Sequence, residues 1–79
     1  MDEKQIGKMI RYHRKRARLT QEELAKMADL GKTVVFDIEK GKLTVRLETL
    51  LKLLQVLNIA LDFHSPLMKL FEESFHEKS

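Results

Sequence analysis

The chain has 79 residues, no cysteine, and 15 Lys and Arg against 12 Asp and Glu, a formal net charge of +3. That length suits one small domain, which buries only about 60% of its unfolded surface and gains stability from a disulfide, a metal or a second subunit. Without cysteine, disulfides and thiolate metal sites are excluded, and no run of 18 apolar residues or apolar leader is present, so a cytoplasmic chain that gains stability by self-association is expected, with no membrane partner.

The first predicted helix spans about Lys4 to Ala17. Ile6, Met9, Ile10 and Ala17, with His13 marginally, follow the 3.6-residue period, while Lys8, Arg11, Lys15 and Arg16 take other faces. Residues 1–18 carry seven Lys and Arg against two acids, residues 19–58 six against six, and residues 59–79 two against four. A cationic N-terminal end suits a polyanion partner; a solvated helix face is the competing reading.

Thr20 opens the second helix. Thr20-Gln21-Glu22-Glu23 has the pattern of a capping box, in which the Thr20 hydroxyl and the Glu23 carboxylate each accept from the other's backbone N–H. Leu24, Met27 and Ala28 supply its apolar stripe. Asp29-Leu30-Gly31 reads as a turn. A third helix runs from about Lys32 to Lys40, with Val35 and Ile38 inward and Gly41 as its stop. After a loop at 42–46, a fourth helix over Leu47–Leu57 is apolar nearly all round, which predicts burial on two sides. Asn58 suits a left-handed stop.

The period then changes. Ile59-Ala60-Leu61-Asp62-Phe63-His64 alternates apolar with small or polar residues, a strand signal. A lone strand leaves both edges unpaired. Antiparallel pairing with the same strand of a second copy is the simplest remedy, and it predicts a homodimer. Leu53, Val56, Ile59, Leu61 and Phe63 are the expected dimer contacts. After Ser65-Pro66, residues Leu67, Leu70, Phe71 and Phe75 stand at helical spacing, broadened by Met68 and Ser74. This amphipathic helix can dock within the homodimer, bind a foreign protein or fray. The expected organisation is a DNA-binding and dimerisation domain over 1–64 and a helical tail over 65–79.

A helix, a three-residue turn and a short helix have the geometry of a helix-turn-helix. Leu19-Thr20-Gln21-Glu22-Glu23-Leu24-Ala25, Ile38-Glu39-Lys40-Gly41-Lys42 and Leu47-Glu48-Thr49-Leu50-Leu51-Lys52-Leu53-Leu54 resemble the Cro/lambda-repressor (XRE-like) family at ungapped spacing, over about residues 6–58. The resemblance implies an all-α, five-helix domain, here with a short C-terminal strand pairing across a homodimer. It also implies sequence-specific binding of double-stranded DNA at a palindromic operator. Gln21 matches the glutamine that braces on the DNA backbone, and Lys32 and Thr33 match positions that reach bases. Phe36 suits a thymine methyl and Asp37 a cytosine amino group. Lys40 and Lys42 match phosphate-contacting positions. Arg14 and Glu39 match a structural ion pair between the first helix and the recognition helix. Arg18, where the family often has glycine, Gly31, where it has Ser or Thr, and Phe36, at a position often small and polar, depart from the pattern.

Thr44 and Leu47–Leu57, followed at once by the strand, resemble the HipB-type antitoxins within that family. This likeness implies a repressor of its own operon that also binds a HipA-like kinase toxin. The alternatives are a free-standing phage or restriction-controller repressor and a protein-interaction module without DNA. His13, His64 and His76 are too widely spaced to suggest a metal site. No nucleophile–base pair or phosphate-cradling glycine loop can be read, so neither a cofactor nor an enzymatic activity is expected.

Overall fold

The computed structural model describes residues 1–42 and 44–77; Leu43, and Lys78 and Ser79 of the expected tail, lie outside the described residues. Five helices follow in order: α1 (Glu3–Arg16), α2 (Gln21–Met27), α3 (Lys32–Glu39), α4 (Leu47–Val56) and α5 (Met68–Glu77). None is long and apolar enough to cross a membrane.

Local chemistry explains the boundaries. α1 starts a residue before the apolar period suggests because Asp2 caps it. The Gln5 N–H donates to the Asp2 carboxylate at 2.8 Å and the Asp2 N–H donates to the Gln5 side-chain oxygen at 2.9 Å. At α2 the Glu23 N–H donates to the Thr20 hydroxyl at 3.0 Å, and the Thr20 N–H donates to the Glu23 carboxylate at 2.8 Å. α3 starts at Gly31, which offers no side-chain cap. Among the described residues, three non-glycine residues at helix exits are left-handed: Arg18 (φ 60°), Asp29 (φ 57°) and Asn58 (φ 59°). Gly41, at φ 95°, performs the same reversal after α3.

α3 packs against both α1 and α2, and α2 against α4. Ile10, Leu24, Ala25, Ala28, Val35, Ile38, Leu53 and Leu54 form the buried core, and each large member contributes roughly 1.5–3 kcal/mol by leaving water. α1 approaches the end of α3 so closely that a Cβ on Gly7 would lie 2.5 Å from the Ile38 carbonyl oxygen. Met27 is exposed rather than part of the α2 stripe. The buried arc of α2 is Leu24, Ala25 and Ala28, and Met27 falls outside it.

Two expectations for the C-terminal half change. Leu53 is fully buried in its own chain's core and has no surface to offer a second copy. Val56 is half-buried on the side of α4 that faces Met27 and Ala28. The outward apolar residues of α4 are instead Leu47 and Leu51, so a single chain buries only one side of this helix. Residues 59–65 form neither helix nor strand. A strand needs a ladder, and no strand is formed elsewhere among the described residues. Ile59 packs on the core, whereas Leu61 and Phe63 are exposed.

Candidate nucleic-acid interface

Three helices meet at one buried polar cluster. Arg14, on α1, donates from Nε to Glu39 Oε2 at 2.6 Å and from Nη2 to Glu39 Oε1 at 3.0 Å. Its Nη1 donates to the Leu19 carbonyl at 2.8 Å, which holds the turn between α1 and α2. Gln21, at the start of α2, donates from Nε2 to Glu39 Oε1 at 3.2 Å. The Arg14 and Glu39 side chains are only 10% and 3% exposed. The hydrogen bond donated to Glu39, with that carboxylate's charge, holds the Arg14 proton even more firmly than usual, against the opposing effect of burial. A two-point pair of this kind sets orientation as well as distance. It also neutralises a carboxylate that would otherwise repel an approaching phosphate.

Gln21 lies between two open clefts. One, of about 310 Å³, is lined by Arg11, Gln21, Phe36, Glu39 and Lys40. The other, of about 440 Å³, is lined by Arg14, Thr20, Gln21, Glu22 and Lys32. Gln21, Lys32, Phe36 and Lys40 therefore share one face, made by the start of α2 and the length of α3. The Lys40 ammonium stands 4.6 Å from the centre of the Phe36 ring, a cation–π contact that holds both side chains at the groove. Thr33 is exposed on the first turn of α3. Asp37 is half-buried, and its carbonyl accepts from the Lys40 and Lys42 N–H groups at 3.1 and 2.9 Å. Lys42 is exposed just past the glycine reversal.

Two features add to the sequence reading. Gln21 already spends an amide proton on Glu39, and the capping box uses the Glu23 N–H internally, so the start of α2 offers fewer free donors than a bare helix N-terminus. Arg11, assigned by periodicity only to an outer face of α1, lines the same cleft as Phe36 and Lys40. Its position three residues before Arg14, one turn back along the same side of α1, is the signal that locates it.

An exposed, partly cationic helix held across a tight connection against a capped short helix defines a helix-turn-helix DNA-binding domain. The chain belongs to the helix-turn-helix family, which residues 10–64 match, and it is a DNA-binding transcription regulator of that type. Over 61 residues it is 38% identical to the uncharacterized HTH-type transcriptional regulator y4mF of Sinorhizobium fredii, covering 77% of this chain and 80% of that protein. The restriction-modification controller protein C.AhdI from Aeromonas hydrophila is similar with a TM-score of 0.67 at 33% identity, covering 72% of this chain and 86% of that one. A chain of the HipA–HipB–O2–O3 complex is similar with a TM-score of 0.74 at 23% identity, covering 84% of this chain and 93% of that one. At that identity the likeness is one of fold.

Proposed function

We propose that the protein is a repressor that binds a palindromic operator as a homodimer. The observation that carries this reading is the convergence of Gln21, Lys32, Phe36 and Lys40 on one face whose buried carboxylate, Glu39, is already neutralised by Arg14. In this reading the start of α3 enters the major groove. Lys32, Thr33, Phe36 and Asp37 read base edges, while Gln21, Lys40, Lys42 and Arg11 meet phosphates. Residues 59–64 pair antiparallel with the same segment of a second copy, and that pairing sets the spacing of the two recognition helices. The exposure of Leu61 and Phe63 supports it.

Within this reading we favour the antitoxin of a HipA-like kinase toxin that represses its own operon. Support comes from the HipB-type pattern at Thr44 and Leu47–Leu57 and from the fold shared with a chain of the HipA–HipB–O2–O3 complex. A restriction-type controller is the second reading, supported by the 33% identity with C.AhdI.

Mobility shifts and footprinting test the repressor. Protected half-sites are expected about one helical turn, roughly 34 Å, or a multiple apart. Lys32→Ala and Thr33→Ala should weaken the preferred site more than random DNA, and an equal loss on both would overturn the assignment of bases to α3. A HipA-like kinase encoded beside this gene, with a product that co-purifies with the chain, is the outcome expected of an antitoxin. A restriction gene pair in that place would favour the controller.

A further inference from the structure

Beyond the recognition face, the largest unexplained feature is the apolar C-terminal arm. Leu67, Leu70 and Phe71 are 68%, 61% and 61% exposed, and the Phe75 ring lies tilted beside Phe71 with centroids 6.2 Å apart. The radius of gyration is 15.2 Å and the longest extent 44 Å, against roughly 12 Å for a compact chain of this length. The arm therefore reaches away from the bundle that carries it. Single chains rarely leave so continuous an apolar strip in water.

The bundle has a matching recess. A mostly apolar cleft of about 410 Å³ is bounded by Met1, by Ile6 and Met9 of α1, by Leu50 and Leu54 of α4, and by the segment from Ile59 to Asp62. On α4 the outward Leu47 and Leu51 continue the face that holds Leu50 and Leu54. On α1, Met9, Tyr12 and Arg16 lie at i, i+3 and i+7, so an exposed tyrosine and a cation extend the floor.

We propose that α5 of each protomer seats in this cleft of a second copy, so that the dimer is built by exchanged arms. The inference rests on the homodimer reading above and names what that dimer buries. In an antiparallel pairing of residues 59–64 about a two-fold axis, opposed residues share a face, so His64 of one chain lies opposite Ala60 of the other. The incoming chain thus leaves the ladder beside a residue that bounds the cleft, and Ser65-Pro66 turns it into α5 there. To reach its own cleft, whose rim runs from Ile59 to Asp62, the arm would have to reverse back along the segment it has just left. Area agrees with this occupant. A buried aromatic side chain covers on the order of 150–250 Å². Two Phe and two Leu on each of two arms, with the surfaces that receive them, reach the roughly 1,200–2,000 Å² of a stable interface.

The absence of native cysteine makes the test direct. Ala60→Cys, on an exposed residue of the cleft rim, is made in an affinity-tagged chain, and Ser74→Cys, on the strip of α5, in an untagged chain. The two are mixed, unfolded and refolded together, and treated with a short bismaleimide. Arm exchange predicts a covalent heterodimer joined between residues 60 and 74, identified by peptide mass spectrometry. The same two substitutions in one chain should also link chains to each other. A 60–74 link formed within a monomer, or no such link at all, overturns the exchange. Sedimentation of the unsubstituted chain separates the two levels: a dimer without the 60–74 link removes only the exchange, whereas a monomer removes the dimer itself. Leu70→Asp with Phe71→Asp should raise the dimer dissociation constant more than about tenfold, and an unchanged constant counts against the arm.

Discussion

The Arg14 guanidinium and the Glu39 carboxylate meet edge to edge, at 2.6 and 3.0 Å, with the Gln21 amide donating to the same carboxylate. One acid thus ties α1, α2 and α3 together at the end of the recognition helix. A third Arg14 donor goes to the Leu19 carbonyl, and no buried side-chain polar atom is left unpaired among the described residues. Such a cluster defines the angle at which α3 stands on the domain more than it adds to stability, because desolvation offsets much of the attraction.

Removing one partner should therefore cost more than removing both. Arg14→Ala leaves Glu39 buried without a counter-charge and should destabilise the domain by about 3 kcal/mol, a large share of the folding free energy of so small a chain. Arg14→Met with Glu39→Leu should lose less than Arg14→Ala alone. Urea denaturation of the three proteins measures the difference. A double variant less stable than Arg14→Ala would show that the pair is itself a net source of stability.

Arg18 holds φ at 60° where the chain leaves α1. A left-handed backbone costs a non-glycine residue roughly 1–2 kcal/mol, and glycine returns part of that gain through the extra freedom of its unfolded chain. Arg18→Gly should raise stability by about 0.5 kcal/mol, or roughly 2–4 °C in Tm. It also removes one of the clustered cations of the first 18 residues, so the gain should be larger at low salt. Thermal melts at two ionic strengths check both statements, and a fall in Tm at both would contradict them.

These examples show what the sequence alone could reveal. Thr20-Gln21-Glu22-Glu23, Gly41 and Asn58 are local signals, and each end they mark depends on backbone groups within four residues. The four helices of the bundle and most of the face made by α2 and α3 follow from them. Contacts between helices are harder to read. Gly7 looks like a weak point of α1 until the Ile38 carbonyl is found against it. Leu53 and Leu47 are both leucines of α4, and only the packing of α2 decides that the first is buried and the second exposed. Arg11 shares a helix with Arg14, yet its place beside Phe36 depends on how α3 crosses α1.

The Glu23 carboxylate titrates below its ordinary range because it accepts from the Thr20 backbone N–H and, next in weight, bonds the Thr20 side chain. A carboxylate whose folded value is lowered adds stability that is present above the unfolded value and fades as pH falls through the folded one. The start of α2 should accordingly loosen on acidification below the normal glutamate range and stay unchanged from there to neutral pH. Thr20→Ala keeps the backbone N–H but removes the hydroxyl, so the Glu23 value should return only part of the way toward normal. Carboxyl NMR titration of the two proteins reads the shift directly, and an equal midpoint in both would show that the Thr20 hydroxyl contributes nothing to it.

Arg11 offers the sharpest distinction between a phosphate contact and a base contact on this face. It lines the cleft with Lys40 on the α1 side, away from the cleft that holds Lys32. A cation that only neutralises phosphate weakens all sequences alike and, when removed, reduces the slope of log K against log salt by about one. A cation that meets a base edge alters the preference at one position, worth about 1–3 kcal/mol of discrimination. Arg11→Ala should show the first pattern and Lys32→Ala the second. Fluorescence anisotropy on the footprinted site and on a scrambled duplex, over a salt series, separates them. If Arg11→Ala changed sequence preference while leaving the slope intact, α1 would have to lie in the groove rather than along its edge.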